Sequence, residues 1–156
     1  MGPLDQGAAL AYLLATLLVY TITTATPGLW NAKSEPVLIV DWVSYGATII
    51  LVGTGTYAAY RANGGRGGSD FPSRYFALGW VLFIRLAALL FLPAMALLFA
   101  AAAALGAFQG EDPALDSALG WAGAGISILF EAVYYLRLVQ HFRQVAAIEL
   151  QRTDGT

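Results

Sequence analysis

Two ionisable residues, Arg85 and Glu131, lie inside apolar stretches of sequence that are long enough to cross a lipid bilayer. A charged side chain at membrane depth is costly, so it usually faces a partner, a cavity or a pathway rather than lipid. The two residues carry opposite signs. The chemistry open to them is mutual neutralisation in a static pair, or reversible binding of a proton or cation by Glu131 with Arg85 holding it in place.

The two charges are expected at similar depths. Arg85 follows Tyr75 by ten residues and Glu131 precedes Val139 by eight, which places them about 15 Å and about 12 Å from the same membrane edge. A short loop joins the two stretches, so their helices should be antiparallel neighbours, and a guanidinium can pair a carboxylate through two parallel hydrogen bonds. The sequence therefore predicts a buried Arg85–Glu131 pair, with static neutralisation favoured over a working site.

Polar and small residues recur at helical spacing on three of the stretches. Such stripes predict helix faces that point into a bundle, where small residues allow close approach and hydroxyl groups hydrogen-bond between helices. Structural hydrogen bonding is favoured over a hydrated path. The stripes are Tyr12, Thr16, Tyr20 and Thr23; Asp41, Tyr45, Thr48, Val52 and Thr56; and Gly120, Ala124, Ser127, Glu131 and Tyr135.

Five residues are secondary candidates for a site: Asp41, Tyr45, Ser127, Tyr135 and His141. Asp41 is expected about one turn inside the membrane boundary, where an interfacial carboxylate is favoured over an ion ligand. His141 is the only histidine, so a bis-histidine haem or a multi-histidine zinc centre lacks ligands. An interfacial role is favoured for it, while a single-ligand haem or a site completed by another subunit stays open. No cofactor, metal or catalytic residue is predicted.

Composition defines the class of protein. The chain of 156 residues is 58% hydrophobic and 12% charged, against about 25% charged in ordinary soluble domains, so it needs lipid as a solvent. A net charge of -2 with scattered basic residues gives no patch for nucleic acid. The absence of cysteine excludes disulfides and thiolate chemistry.

Four apolar stretches approach the roughly 20 residues that a helix needs to cross a bilayer. They predict transmembrane helices at about 8–26, 37–60, 75–108 and 117–139, followed by a cytoplasmic helical tail at 140–156, all in a single domain, 1–156. The third stretch is longer than a straight crossing requires, which predicts tilt, a kink at Pro93 or an interfacial extension. Asp70 or Ser73 is expected to cap the third helix, and Asp116 or Ser117 the fourth.

The basic residues predict the orientation. They are concentrated on one side of the membrane at Arg61, Arg66, Arg74, Arg137, Arg143 and Arg152, whereas the other side has Lys33. The positive-inside rule predicts that both termini are cytoplasmic, and the expected location is a bacterial inner membrane.

Together these features predict an all-α polytopic membrane protein with four transmembrane helices in an antiparallel bundle. Because no catalytic set is visible, we expect a non-enzymatic protein that works as a homo-oligomer or as an accessory subunit of a membrane complex, with the lipid bilayer and other membrane subunits as partners. The alternative is a small oligomeric channel or proton- or ion-coupled transporter that uses Glu131 with Arg85. A membrane lipid-modifying enzyme comes third.

Overall fold

The computed structural model describes residues 8, 10–11, 13–18, 39–65, 68, 70–106 and 112–153. These residues are helical apart from short turns, and they contain no β-strand. The helices are α1 (Ile39–Ala62), α2 (Phe71–Leu86), a π-helical segment (Ala87–Phe91), α3 (Leu92–Ala104) and α4 (Pro113–Thr153). The described residues between 8 and 18 are also helical and are called the N-terminal helical segment below.

Three helices are long and apolar enough to cross a membrane: Ile39–Ala62, Phe71–Ala104 and Pro113–Glu149. The prediction of a helical membrane protein is therefore confirmed. The first predicted span, 8–26, is helical in its described residues as far as 18, and its remainder lies outside the described residues. Four crossings and a cytoplasmic location of both termini remain predictions.

The outward surface of the helices consists of large apolar side chains. Leu89 and Leu97, for example, are 73% and 72% exposed, and Trp80 is 66% exposed. Contiguous apolar surface on this scale is rare on soluble monomers, and it matches the acyl chains of a bilayer. Lipid therefore covers the apolar side chains that the bundle leaves exposed.

A π-turn interrupts the second of the three long helices immediately before Pro93. Proline has no backbone N–H, and in a regular α-helix its ring would collide with the carbonyl four residues earlier, that of Leu89. The helix widens there, and the Leu92 N–H donates to the carbonyl of Ala87, five residues back. The disturbance predicted at Pro93 thus takes the form of a π-turn. The helix ends at Ala104, ahead of the predicted boundary at 108, and residues 107–111 lie outside the described part.

Helix α4 is longer than the span predicted at 117–139. It begins at Pro113, and Asp112 caps it by accepting hydrogen bonds from the N–H groups of Ala114 at 3.0 Å and Leu115 at 3.3 Å. The predicted caps Asp116 and Ser117 are therefore wrong. Pro113 suits the first helical turn, so the helix begins at an earlier residue than predicted. The helix continues beyond Val139 to Thr153, and its 41 residues extend about 62 Å, twice the hydrocarbon thickness.

Asp70 occupies the N-cap position of α2, as predicted, but its carboxylate makes no cap hydrogen bond to the backbone. It accepts a hydrogen bond from the Ser73 hydroxyl at 3.1 Å instead. Its φ of 50° lies in the left-handed region, which turns the chain sharply into the helix. The helix start was therefore predictable from sequence, whereas the form of the cap was not.

Helix α4 is the centre of the packing. Its main partner is α1, and it also packs against α2, the π-segment and α3. Neighbouring pairs fix the directions of the helices. Val40 lies near Gly120, and Gly55 lies near Tyr135, so α1 and α4 run parallel. The rings of Phe71 and Phe142 are 5.5 Å apart, and the contacts proceed in opposite senses along α2 and α4, so these two helices are antiparallel.

The best-buried residues cluster at the end of the bundle where α1 finishes and α2 begins. Phe71, Leu138 and Phe142 are fully buried there, and Leu10 and Leu13 of the N-terminal helical segment belong to the same cluster. Phe71 also makes an edge-to-face contact with Tyr60 at 5.4 Å. The interior of the bundle is therefore tightest at this end.

Gly55 marks a close approach between α1 and α4. A methyl group at Gly55 would overlap the ring of Tyr135 and lie 2.8 Å from its Cβ. Any side chain there would force the helices apart. Small residues are the usual means of close helix packing in membranes, where lipid supplies little drive for association.

We expect Gly55→Ala to lower the free energy of unfolding by about 1–3 kcal/mol through overpacking against Tyr135. The measurement is the thermal unfolding midpoint in detergent. Gly53→Ala is the matched control, because an added methyl group there meets no atom within 4 Å. Equal midpoints for the two variants would contradict the close approach.

Candidate functional site

Glu131 lies on the face of α4 that packs against α1. Its Oε1 accepts a hydrogen bond from the Thr48 hydroxyl at 3.0 Å. Its Oε2 is buried and has no hydrogen-bond partner in the described part of the chain. A buried oxygen without a partner loses its hydration without compensation, so the site has unused capacity to accept a hydrogen bond or a cation.

Arg85 does not meet Glu131. It is exposed near the end of α2, and across the described ranges the ion pair that forms is a different one, between Arg74 and Glu149. The two predicted depths agree, since Phe83 of α2 contacts Phe130 of α4 with ring centroids 5.7 Å apart. The prediction of a pair fails because Glu131 points toward α1, whereas Arg85 points out of the bundle.

The ion pair between Arg74 and Glu149 lies close to the beginning of α2. Arg74 also donates to Asn63 Oδ1 at 3.4 Å, so its guanidinium links the turn after α1 to the last part of α4. The two side chains are 26% and 47% exposed. An ion pair in contact with water contributes about 1 kcal/mol or less, so this pair orients the helix ends more than it stabilises them.

A chain of hydroxyl groups lies toward the end of the bundle where α1 finishes and α2 begins. Thr56 and Tyr75 hydrogen-bond at 2.9 Å, and the hydroxyl of Tyr75 lies 3.5 Å from that of Tyr135. All three side chains are buried. The predicted stripes on α1 and α4 thus face each other and join through a tyrosine of α2, which matches their interpretation as hydrogen bonds between helices.

The other candidate residues are spread along the bundle. Asp41 is half-buried and lines a smaller cavity of about 390 Å³ between α1, α3 and α4. Tyr45 is half-buried on α1, and His141 is exposed on α4. Ser127 is half-buried one turn from Glu131 and lines the same cavity as Glu131. The structure therefore groups Ser127, Glu131 and Tyr135 and leaves the other candidates apart.

Most of the stripe predicted on the first span lies outside the described residues. Tyr12, Tyr20 and Thr23 lie outside the residues whose placement is described, and Thr16 is exposed. The stripe stays a prediction.

Tyr134 is a residue of the site that the sequence did not single out. An added Cβ at Gly79 of α2 would lie 2.6 Å from the Tyr134 hydroxyl. Tyr134 therefore packs against Gly79, just as Tyr135 packs against Gly55. The two tyrosine rings are 5.0 Å apart. Two adjacent tyrosines therefore contact two different helices, and the signal in the sequence is the Tyr134–Tyr135 pair itself.

A cavity of about 1090 Å³ lies beside Glu131. It is lined mainly by α2 and α4, with one residue each from α1, the π-helical segment and the N-terminal helical segment. Its lining is mostly apolar and aromatic. The polar groups that reach it come from Ser127, Glu131 and the tyrosines. Among the described residues, no three histidine or acidic side chains lie close enough together to hold a metal ion. The cavity can therefore accept an apolar molecule and offers it one carboxyl group.

Comparisons with known proteins give no relative for this chain. No family model matches it, and neither a curated protein nor a solved structure matches it significantly. The fold and the site geometry therefore carry the functional argument.

A double-mutant cycle distinguishes the two possible partners of Glu131. Thr48→Val and Glu131→Leu should couple by about 0.6 kcal/mol, the usual value for a hydrogen bond between membrane helices. Arg85→Met and Glu131→Leu should show a coupling near zero because the two side chains do not touch. The measurement is the free energy of unfolding of the wild type, the three single variants and the two double variants in detergent micelles. A coupling of several kcal/mol between Arg85 and Glu131 would mean that the ion pair forms after all.

Proposed function

We propose that the protein is a non-enzymatic integral membrane protein that acts as an accessory subunit of a larger membrane complex. The face of α2 that bears Arg85 is the surface that docks its partner. The observation that supports this proposal is the exposure of Arg85 on a helix that is long and apolar enough to span the bilayer. A lone cation facing acyl chains is unfavourable, and a partner subunit relieves the cost.

Arg85 lies far from both ends of its helix. It lies 14 residues after Phe71 and 19 before Ala104, so it is about 21 Å and about 28 Å from the two ends of the continuous helix. Long basic side chains reach the interface only from positions near helix ends. The guanidinium therefore needs a partner within the membrane.

The partner is a different protein that carries Asp or Glu in one of its own spans. The ten acidic residues of this chain include one at comparable depth, Glu131, and that carboxylate faces α1 inside the bundle. A second copy docked symmetrically through the same face would thus bring Arg85 against Arg85. Charge complementarity favours a heteromeric complex over self-association.

The proposed location is the bacterial inner membrane with both termini in the cytoplasm. It is supported by the arginines that lie near the end of α1, near the start of α2 and near the end of α4. Basic residues collect on the cytoplasmic side of membrane proteins.

A small proton- or ion-coupled carrier is the second candidate function. The observation that favours it is the buried Oε2 of Glu131 beside a large cavity. It comes second because the carrier envisaged from sequence needs Arg85 next to Glu131, and these two residues point in different directions.

The test is the composition of the complex after gentle extraction from native membrane. We expect a second protein to copurify with the wild-type chain and to be lost in Arg85→Leu, while Arg85→Lys retains part of it. The readouts are the native mass and the proteins identified by mass spectrometry. Because Arg85 makes no hydrogen bond or ion pair with the described residues, the free energy of unfolding of isolated Arg85→Leu should stay within about 0.5 kcal/mol of the wild type.

Arg143→Leu is the matched control, since Arg143 is also an exposed arginine but follows the buried Phe142 near the end of α4. It should retain the partner. Recovery of the wild-type chain alone, or as a pure homo-oligomer, from gentle extraction would overturn the proposal.

A further inference from the structure

The cavity beside Glu131 has a largely aromatic lining. Phe83, Phe91 and Phe130 line it, and the ring of Phe130 lies 5.7 Å from that of Phe83 and 5.1 Å from that of Phe91. Tyr134 extends this cluster, with its ring 6.3 Å from Phe83. A volume of about 1090 Å³ is at the upper end of the range for ligand pockets.

One negative group faces this aromatic lining. Glu131 is the acidic residue among the described residues around the cavity, and no basic residue joins it there. Its Oε1 is occupied by Thr48, whereas its Oε2 is buried and unpartnered. The chain thus presents one acceptor that its own described groups leave unused.

A carboxylate and aromatic faces share a preference for cations. Ring faces carry negative electrostatic potential and attract a cation within about 6 Å, most strongly where water is excluded. An anion would be repelled by the same groups. A purely apolar molecule would leave Oε2 without a partner, which costs free energy in a low-dielectric site.

We propose that this cavity binds a lipophilic organic cation, with the positive centre at Glu131 Oε2 and the apolar substituents among Phe83, Phe91 and Phe130. The occupant enters from the bilayer. Phe76, Ala77 and Trp80 line the cavity and are exposed on the outer surface of α2, so the site is open on a lipid-facing side. Arg85 does not line the cavity, so binding can be tested on the isolated chain without the partner proposed for Arg85.

Two probe ions of nearly identical shape and opposite charge test the proposal. Tetraphenylphosphonium should bind saturably, with one site per chain, to the full-length protein in nanodiscs of zwitterionic lipid. Tetraphenylborate should show no saturable component. The measurement is equilibrium dialysis against empty nanodiscs, which subtracts partitioning of the probes into lipid.

Glu131→Gln should weaken tetraphenylphosphonium binding by about tenfold or more, since it keeps the shape and the Thr48 contact and removes the charge. Asp116→Asn is the matched control on α4. It removes an exposed carboxylate outside the cavity and should bind as the wild type does. Equal affinity of the Gln variant and the wild type, or saturable binding of tetraphenylborate, would overturn the proposal.

A second variant keeps the test decisive if Glu131→Gln fails to fold. Ala77→Trp adds a large side chain at an exposed position of the cavity lining, so it narrows the site and leaves Glu131 and the packing of α2 in place. It should reduce tetraphenylphosphonium affinity without lowering the unfolding midpoint. Unchanged affinity in a folded Ala77→Trp protein would place the probe elsewhere and refute the site.

Discussion

The close approach of α1 to α4 at Gly55 is the constraint on which the other contacts depend. With the ring of Tyr135 against that glycine, the Tyr135 hydroxyl comes within 3.5 Å of Tyr75, and Tyr75 in turn hydrogen-bonds Thr56. Two turns away, the same helix pair brings Thr48 to Glu131. Polar groups in the membrane need partners within the protein, and here the partners come from α1, α2 and α4. Packing of a glycine thus determines which hydroxyl and carboxyl groups meet.

The sequence predicted the position of each charge along its helix better than its direction around the helix. Depth follows from residue counts at 1.5 Å per residue, so Arg85 and Glu131 were placed at similar heights. Direction depends on which neighbour a helix packs against, and no residue pattern states that α4 packs mainly on α1 rather than on α2. The stripe through Glu131 was correctly assigned to a contact between helices. Its partner proved to be Thr48 rather than Arg85.

The same distinction explains the other successes and failures. The helical class follows from apolar length, and the disturbance at Pro93 follows from its missing N–H, so both are local properties of the sequence. Other features require the placement of two or more helices. They are the π-turn, the contact of Tyr134 with Gly79 and the cavity. Those features depend on tertiary packing and have no one-dimensional signature.

Helix α4 joins the intramembrane site to the polar end of the molecule without a break. Glu131 and Glu149 lie 18 residues apart on one continuous helix, a separation of about 27 Å. Between these two residues, α4 contacts Gly55 of α1 through Tyr135, and this contact is the natural pivot for a tilt of the helix. A tilt of about 10° around that pivot displaces the far end by several ångströms, which exceeds the reach of the Arg74–Glu149 contact. The length of a single helix therefore places the cavity and the Arg74–Glu149 contact on one continuous element.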